Sequence, residues 1–309
     1  MLKWALVAKG WPRMSTAQKV LANHGKSFYW ASIFLGRQQA EWAAQLYQFC
    51  RYVDDLADGN LRARESRLRA IYQDLEKGEI SAGTDTYLEN FLALAQQAKI
   101  PLAAARELVA GMISDQVPAA IGNQDQLLRY CHAAAGTVGV MMCKVLGCDQ
   151  PQAQSYAVDL GIAMQLTNIA RDVLEDAQMG RRYLPASWIN VDAQQIARAD
   201  SADYQIVASA IDRLLDLADK YYTSALQGIP MIPWRARFSI AVALRIYRQI
   251  GVQLRHNNLC WWRGRTLVKR RTKVRLTAMA LLDIMPRQVP QHRTELHRAL
   301  TGLCGVSSH

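Results

Sequence analysis

Residues 47–58 read YQFCRYVDDLAD and residues 165–176 read QLTNIARDVLED, and these two stretches decide the fold. Each has the apolar periodicity of a buried helix, interrupted by one polar stripe. On a helix of about 100° per residue, an arc of about 60° holds Tyr47, Arg51, Asp54 and Asp58. In the second stretch an arc of about 80° holds Gly161, Gln165, Asn168, Asp172 and Asp176. Both stretches therefore predict helices with a carboxylate stripe on a half-buried face.

The two stripes pose an electrostatic problem. Like charges one turn apart destabilise a helix by roughly a few tenths of a kcal/mol, and burying them unpaired costs far more. A cation must therefore lie between the stripes, and Mg²⁺ is the simplest candidate because it takes oxygen ligands and substrate phosphates. A lone acidic run is usually a solvated face. Two such stripes on apolar helices, each with an Arg that can grip phosphate bidentately, indicate a magnesium–diphosphate site.

The rest of the chain is also helical in pattern. Half of the 309 residues are apolar, with only 18 Gly and 9 Pro, and no turn chemistry recurs at strand spacing. Helix formers at a period of 3.6 cover 38–58, 61–77, 86–98, 103–114, 124–147, 151–177, 202–227 and 235–258. The sequence therefore predicts an all-α protein.

The breaks between these helical stretches are short, and none has the composition of a domain linker. We therefore predict one helical domain over residues 1–309. Residues 286–309 lose apolar density, and we expect them to form a loosely packed tail.

Cysteine usage and the N-terminus bear on the compartment. The six Cys are scattered without a zinc-like spacing, which favours a reduced, cytoplasmic setting. The first residues, MLKWALVAKGWPRM, lack the pattern of a signal peptide. No run reaches 18 apolar residues, so we expect no membrane-spanning segment.

The net charge of +11 favours an anionic partner. Seven basic residues and no acidic one lie within 261–275. One interpretation is a solvated basic stretch. In the other interpretation one Arg reaches the active site, and Trp261, Trp262 and the outer cations contact an anionic membrane. Since no nucleic-acid-binding motif accompanies these residues, we expect peripheral membrane contact through 261–275 and no nucleic-acid partner.

Two further segments are candidates for the same site. In HGKSFY (24–29) the polar groups could bind diphosphate while the aromatics line an apolar pocket; the alternative is an ordinary helix start with core aromatics. In YCHAAAGTVG (130–139) the small residues let helices approach closely or leave room for a long apolar ligand. Tyr130 has a polar tip that could enter a cavity. His132 is assigned no role, because such a histidine is more often structural.

These motifs also carry a family resemblance. In chain order they are SFYWAS (27–32), YQFCRYVDDLAD (47–58), GMISD (111–115), YCHAAAGTVG (130–139), QLTNIARDVLED (165–176), GRRYLP (180–185), IYRQIG (246–251) and WWRGR (261–265). On them the chain resembles the squalene/phytoene synthase family, the head-to-head prenyl transferases, over about residues 20–280. LTNIARD followed by GRRYLPASW most resembles the bacterial phytoene synthases. One departure is Gln116, where the family usually has an apolar residue.

The resemblance implies roles for individual residues. The implied metal-site groups are Asp54, Asp58, Asn168, Asp172 and Asp176, with Asp55 as an outer acid. The implied diphosphate-binding residues are Lys26, Ser27, Tyr47, Arg51, Gln165, Arg171, Tyr247 and Arg265. The resemblance also places Tyr130 near the rearranging cation and gives Arg182 a part in a loop that closes over the site.

The resemblance further implies a fold and an activity. The fold is an isoprenoid-synthase-type helical bundle around a central cavity. The activity is a Mg²⁺-dependent (or Mn²⁺-dependent) condensation of two geranylgeranyl diphosphates, through a cyclopropylcarbinyl diphosphate, to 15-cis-phytoene. This is the first committed step of carotenoid biosynthesis, and it needs no NADPH.

Three alternatives stay open at this point. The same family contains squalene and dehydrosqualene synthases, which use two farnesyl diphosphates, and squalene formation commonly needs NADPH. Terpene cyclases and head-to-tail prenyl transferases also pair two acidic helices with Mg²⁺, but the order of motifs argues against them. A non-enzymatic helical assembly factor or a basic nucleic-acid-binding protein is the third, although both acidic stripes are intact.

Overall fold

The structure, a computed structural model, describes residues 14–59, 64–79, 86–115, 121–286 and 288–306. Helices form where the periodicity of the sequence predicts them. The first six helices are α1 Thr16–His24, α2 Lys26–Ser32, α3 Arg37–Asp58, α4 Arg64–Lys77, α5 Thr86–Ala98 and α6 Leu102–Ser114. The next four are α7 Gln124–Cys131, α8 Thr137–Leu146, α9 Pro151–Gln178 and α10 Ala193–Arg198. The last three are α11 Tyr204–Gly228, α12 Trp234–His256 and α13 Arg270–Met279.

Among the described residues no β-strand forms, and the all-α prediction is confirmed. The eight predicted helical stretches each match one or two of these helices within a few residues. Four helices that the periodicity did not predict are α1, α2, α10 and α13. The N-terminal segment 1–13 and Gln116 lie outside the described residues.

The two motif helices, α3 and α9, each pack against several helices and have α8 as a common neighbour. Helix α9 packs along α8 and α11 and also contacts α10 and α12. Helix α3 packs against α1, α4, α5 and α8. Its apolar side is closed by Phe49, which is buried and stacks on Phe91 with ring centroids 3.8 Å apart. Each motif helix therefore buries its apolar residues in a core and leaves its polar stripe on another side.

A π-helical turn, His132–Gly136, joins α7 to α8. The small residues around it bring this element very close to α9. A Cβ added to Gly161 would lie 2.2 Å from the carbonyl oxygen of Ala135, and one added to Gly139 would lie 2.2 Å from that of Ala157. The small residues of 133–139 therefore serve close helix packing here, one of the two uses that the sequence allowed.

The C-terminal segment differs from its prediction. Its described part, 288–306, is packed on the body of the protein, and His292, His297 and Leu300 are buried. The hydroxyl of Tyr221 donates to the carbonyl of Leu296 at 2.7 Å. The expectation of a loose tail is wrong for these residues, because Leu300 lies in the main core, Leu296 and Leu303 pack against it, and the buried histidines add polar contacts.

The two tryptophans predicted to meet a membrane are in the protein instead. Trp261 is buried, and its indole N–H donates to the carbonyl of Tyr204 at 3.3 Å. Trp262 stacks on the Tyr204 ring with centroids 3.7 Å apart. The sequence prediction is therefore wrong for this pair, because α11 supplies an aromatic partner. No helix in the described ranges has the length and apolarity needed to span a bilayer.

Candidate active site

The polar stripe of α3 is held by arginines. Arg51 Nη1 lies 3.1 Å from Asp54 Oδ2, and Arg51 Nη2 lies 2.5 Å from Asp55 Oδ1. One turn further on, Asp58 Oδ1 lies 2.6 Å from Nη1 of Arg181, which follows α9 in the chain. The first stripe is thus tied both to its own arginine and to the segment that follows the second stripe.

The polar stripe of α9 is more buried. The guanidinium of Arg171 grips Asp172 with both arms, Nε to Oδ1 at 2.7 Å and Nη2 to Oδ2 at 2.5 Å. Arg265 Nε lies 3.2 Å from the same Oδ1. Asp172 therefore has two arginine partners from two different parts of the chain, as the sequence predicted for an Arg of the 261–275 stretch.

Arg181 shows that the two stripes face each other. Its guanidinium forms an ion pair with Asp58 of α3, and its backbone N–H donates to the carbonyl of Asp176 on α9 at 2.9 Å. Burial raises the pKa values of Asp54, Asp115 and Asp176, and the positive charge of Arg181 opposes that rise in all three. Arg181 therefore links the ends of the two stripes. The electrostatic problem of the stripes is solved in part by arginines, which the sequence analysis did not anticipate.

The arginines leave two carboxyl groups short of positive charge. Burial, together with repulsion from Asp58, raises the pKa of Asp54 to about 6. Burial and repulsion from Asp172 raise the pKa of Asp176 to about 7. Among the described residues Asp176 has no ion-pair partner. A raised carboxyl pKa is the signature of a site that favours added positive charge.

Asn168 provides a neutral oxygen beside these carboxylates. Its amide N–H lies 3.4 Å from Gln165 Oε1, whereas its Oδ1 is buried without a hydrogen-bond partner. Buried carbonyl oxygens normally have a partner. An orphaned amide oxygen next to carboxylates is the donor set that Mg²⁺ and Mn²⁺ accept. The residues present therefore fit such an ion.

An aromatic group lies beside the two stripes. The Phe28 ring is 4.9 Å from the Tyr247 ring and 6.2 Å from the Tyr47 ring, measured between centroids. Burial raises the pKa values of both tyrosines, and in Tyr247 the charge of Arg171 opposes that effect. Tyr47 and Tyr247 thus both lie next to Phe28, and their roles in binding diphosphate stay predictions.

Tyr130 belongs to a neighbouring cluster that sequence reasoning only partly found. Its ring stacks on Tyr183 with centroids 4.7 Å apart, and the Tyr183 hydroxyl donates to Asp115 Oδ2 at 2.8 Å. The Tyr130 hydroxyl lies 3.5 Å from the same oxygen. Asp115, Tyr183 and Arg181 were not assigned roles from the sequence. Their presence in GMISD and GRRYLP was the available signal.

Other predicted residues lie less centrally. Arg182 Nη1 donates to the carbonyl of Val191 at 3.0 Å, so Arg181 rather than Arg182 is the residue of this pair that reaches the acidic stripes. Lys26 is exposed at the start of α2, and Ser27 is half-buried beside it. The Cβ position of Gly25 lies 3.0 Å from the Tyr47 ring, which places this helix start against the aromatic group.

Along most of its length the chain is similar to known proteins of one family. The family model described as squalene/phytoene synthase matches residues 21–277. A 15-cis-phytoene synthase from Paracoccus sp. is 34% identical over 89% of this chain and 93% of its own length. Another from Enterobacter agglomerans is 31% identical over 86% of this chain and 94% of its own.

Solved structures agree in fold. A dehydrosqualene synthase crystallised with a ligand superposes with a TM-score of 0.74 at 26% identity, covering 86% of this chain and 94% of that one. A squalene synthase from Alicyclobacillus acidocaldarius gives 0.69 at 20% identity, covering 79% and 93%. Together with the facing acidic stripes, these matches establish that the chain is a prenyl transferase of the squalene/phytoene synthase family.

Proposed function

We propose that this protein is a 15-cis-phytoene synthase that condenses two geranylgeranyl diphosphates head to head. The observation that carries the proposal is the likeness, at 31–34% identity over nearly the whole chain, to bacterial proteins of that name. The facing stripes of α3 and α9 supply the groups that such a reaction needs. A squalene or dehydrosqualene synthase is the second candidate, because the solved structures that superpose on the chain bear those names.

The metal site of the proposed enzyme uses oxygen donors from both motif helices. Asp54 and Asp58 would hold Mg²⁺ or Mn²⁺ from the first stripe, and Asn168, Asp172 and Asp176 from the second. When bound, the ion neutralises the negative charge that develops on the leaving diphosphate. The raised pKa values of Asp54 and Asp176 and the orphaned Asn168 oxygen support this assignment.

The diphosphates would be held by the arginines that now pair with carboxylates. Arg51, Arg171 and Arg265 each present a guanidinium at a stripe, and a guanidinium binds phosphate as readily as it binds carboxylate. In the proposed cycle the diphosphate replaces the carboxylates as the partner of these three arginines. The remaining predicted diphosphate contacts are Lys26, Ser27, Tyr47, Gln165 and Tyr247.

The carbon chemistry requires a dry wall beside the charged groups. Loss of one diphosphate gives an allylic cation, which alkylates the double bond of the second substrate and forms the cyclopropylcarbinyl diphosphate. Its ionisation and rearrangement, followed by loss of a proton, give the central triene. Phe28 and Tyr247 would exclude water, which otherwise captures a carbocation as an alcohol. Tyr130 would lie near the rearranging cation.

The decisive experiment is a product assay with purified protein. Geranylgeranyl diphosphate with Mg²⁺ should give a C40 hydrocarbon without NADPH, EDTA should stop the reaction, and Mg²⁺ or Mn²⁺ should restore it. A parallel assay uses farnesyl diphosphate with and without NADPH. A C30 product in place of a C40 product would refute the phytoene proposal and leave the family assignment intact.

We further propose peripheral contact with an anionic membrane, through a smaller set of residues than the sequence suggested. Trp261 and Trp262 are occupied within the protein, but Leu267 and Val274 are exposed among Lys269, Arg270 and Arg271. Exposed apolar side chains within a purely basic surface suit anionic lipid headgroups.

Membrane contact is tested by co-sedimentation with lipid vesicles. Vesicles containing phosphatidylserine should bind the protein, and purely zwitterionic vesicles should not. Replacing Leu267 with Asp should weaken binding, whereas the matched change Ile206→Asp on exposed α11 should not. Equal binding of both variants would refute the assignment of this surface.

A further inference from the structure

A second group of metal-binding side chains lies in the described part of the chain, formed by Asp159 on α9 with His292 and His297 of the C-terminal segment. His292 Nε2 lies 2.8 Å from Asp159 Oδ2, and His297 Nε2 lies 2.9 Å from Oδ1. All three residues are buried, and Asp159 has no exposed surface. The potential ligand atoms lie within 4.8 Å of one another.

The two imidazoles converge on one carboxylate. Their Nδ1 atoms are buried without a hydrogen-bond partner, so each ring makes its polar contact through Nε2 alone. The rings are neighbours, with centroids 4.4 Å apart. Two imidazole nitrogens beside the two oxygens of one carboxylate form a donor set that suits a first-row transition-metal ion.

The charge of the group also favours a cation. Burial opposes ionisation of Asp159, but the hydrogen bonds from the two histidines outweigh it and hold the pKa of this carboxyl below its usual range. Among the described residues no Lys or Arg forms an ion pair with Asp159; its partners are the two histidines. A carboxylate with no exposed surface is costly unless hydrogen-bond donors or a cation lie beside it, and a bound metal ion would supply that positive charge directly.

We propose that Asp159, His292 and His297 bind one divalent transition-metal ion, with Zn²⁺ as the first choice, and that the ion fastens the C-terminal segment to α9. Zn²⁺ binds imidazole nitrogen and carboxylate oxygen at about 2.0–2.2 Å. Tetrahedral ligands at that radius lie roughly 3.4 Å apart, so each Nε2 needs to move about half an ångström away from the carboxylate oxygen that it contacts. In the metal-bound form each ring would coordinate through an unprotonated Nε2 and carry its proton on Nδ1.

This site is chemically separate from the acidic stripes. Mg²⁺ prefers oxygen ligands and is a poor match for imidazole, so the two sites select different ions. The histidines follow residue 277, where the family match ends. Asp159 lies on the same helix as the second stripe but nearer the N-terminus of that helix, so the metal-bound C-terminal segment would hold this end of α9. It goes beyond the proposed function and does not depend on it.

The experiment uses the full chain, stripped with a chelator and kept in excess Mg²⁺ so that the acidic stripes are occupied. Titration with Zn²⁺ against a chromophoric chelator should show one tight site. The variants Asp159→Asn and His297→Gln should weaken it on the order of 100-fold. Three controls should leave it unchanged: His256→Gln at an exposed histidine, Cys148→Ser, and Asp172→Ala.

A second measurement guards against variants that fail to fold. In ¹⁵N spectra of the unmutated protein, Zn²⁺ should convert two histidine Nε2 signals from the N–H type to the metal-bound type. The proposal is overturned if Zn²⁺ binds the unmutated chain no more tightly than the His297→Gln variant, or if both Nε2 atoms keep their protons. The group would then be a hydrogen-bonded clamp. Neither readout uses substrate, so a failed phytoene assay does not affect the result.

Discussion

On α3 the side chains of Asp54 and Asp58 keep 43% and 41% of their surface exposed, whereas on α9 Asp172 keeps 18% and its partner Arg171 keeps 10%. The first stripe pairs Asp54 with Arg51, whose side chain is 36% exposed, and Asp58 with Arg181, whose side chain is 17% exposed. The second stripe locks one carboxylate between Arg171 and Arg265. Similar motifs therefore produce a more exposed, adaptable half and a more buried, fixed half, and losing a carboxylate from the fixed half should cost more folding stability.

The largest expected effect is on turnover, where the two halves should behave alike. Asp54→Ala and Asp172→Ala should each lower kcat on the order of 10³-fold, because each removes an oxygen donor from the charge-stabilising site. Steady-state assays with geranylgeranyl diphosphate measure the loss. The matched control is Asp212→Ala on exposed α11, which should keep near-normal activity. Normal turnover in either stripe variant would remove that stripe from the metal site.

Folding stability should separate the two halves. Asp172→Ala leaves the buried Arg171 without its partner, and breaking a buried ion pair costs about 3 kcal/mol. Asp54→Ala removes a half-exposed carboxylate that is repelled by Asp58, so the free energy of unfolding should change by less than about 1 kcal/mol. Urea unfolding without metal gives both values. Equal losses would mean that the stripes do not differ in rigidity.

Packing behind the fixed half should also matter. Gly161→Ala places a Cβ 2.2 Å from the Ala135 carbonyl oxygen, so α9 must shift, at a cost of about 2 kcal/mol. In Gly36→Ala, at the start of α3, the nearest atom is 3.8 Å away, and the cost should stay below about 1 kcal/mol. Thermal unfolding compares the variants. A harmless Gly161→Ala would show that the close approach does not position the stripe.

The smallest effect is a pH dependence of the metal-free protein. The folded-state pKa values of Asp54 and Asp176, about 6 and about 7, lie above the ordinary aspartate value of 3.8. Their contribution to stability is therefore complete below about pH 4 and is lost as the pH rises through 6 and 7. The melting temperature should fall by roughly a few degrees between pH 5 and 8.

Two variants test which of the two carboxyl groups causes each part of this pH dependence. Asp176→Asn should remove the fall in melting temperature between about pH 6 and 7, and Asp54→Asn should reduce the fall between about pH 4 and 6. Mg²⁺ should restore stability at pH 8, where both carboxyls are ionised and free to bind it. A melting temperature that rises from pH 5 to 8 in both variants and in the parent would contradict the raised pKa values.

Much of the fold could be predicted from the sequence, because long helices such as α9 repeat their apolar residues over many turns. Helix periodicity also placed the two stripes on their faces. What could not be predicted depends on tertiary neighbours. Trp261 and Trp262 have the composition of a membrane-facing pair, but both rings contact Tyr204. Nothing local distinguishes Arg181 from Arg182, yet their side chains point to different partners.

Site residues could be predicted where a motif repeats polar side chains on one face of a helix. Site residues whose contacts come from distant parts of the chain were missed. Asp54, Asp58, Asn168, Asp172 and Asp176 share faces that periodicity reveals. Asp115 meets Tyr183 through a contact that spans 68 residues of chain, which no spacing rule reaches. The packed C-terminal segment was missed for the same reason, since its buried histidines contact Asp159, 133 and 138 residues earlier in the chain.

The π-helical turn at 132–136 has a consequence for how this protein can change. One additional residue in a turn rotates everything before it by about 100° relative to everything after it. The extra residue therefore sets the direction of the Tyr130 side chain, before the turn, relative to Gly139 after it. Deleting Ala134 would restore a continuous helix and swing the tyrosine away from Asp115 while the glycine seam stayed in place. A single-residue length change is thus a route by which evolution, or a designer, could re-aim one wall of the pocket without rebuilding the helix packing behind it.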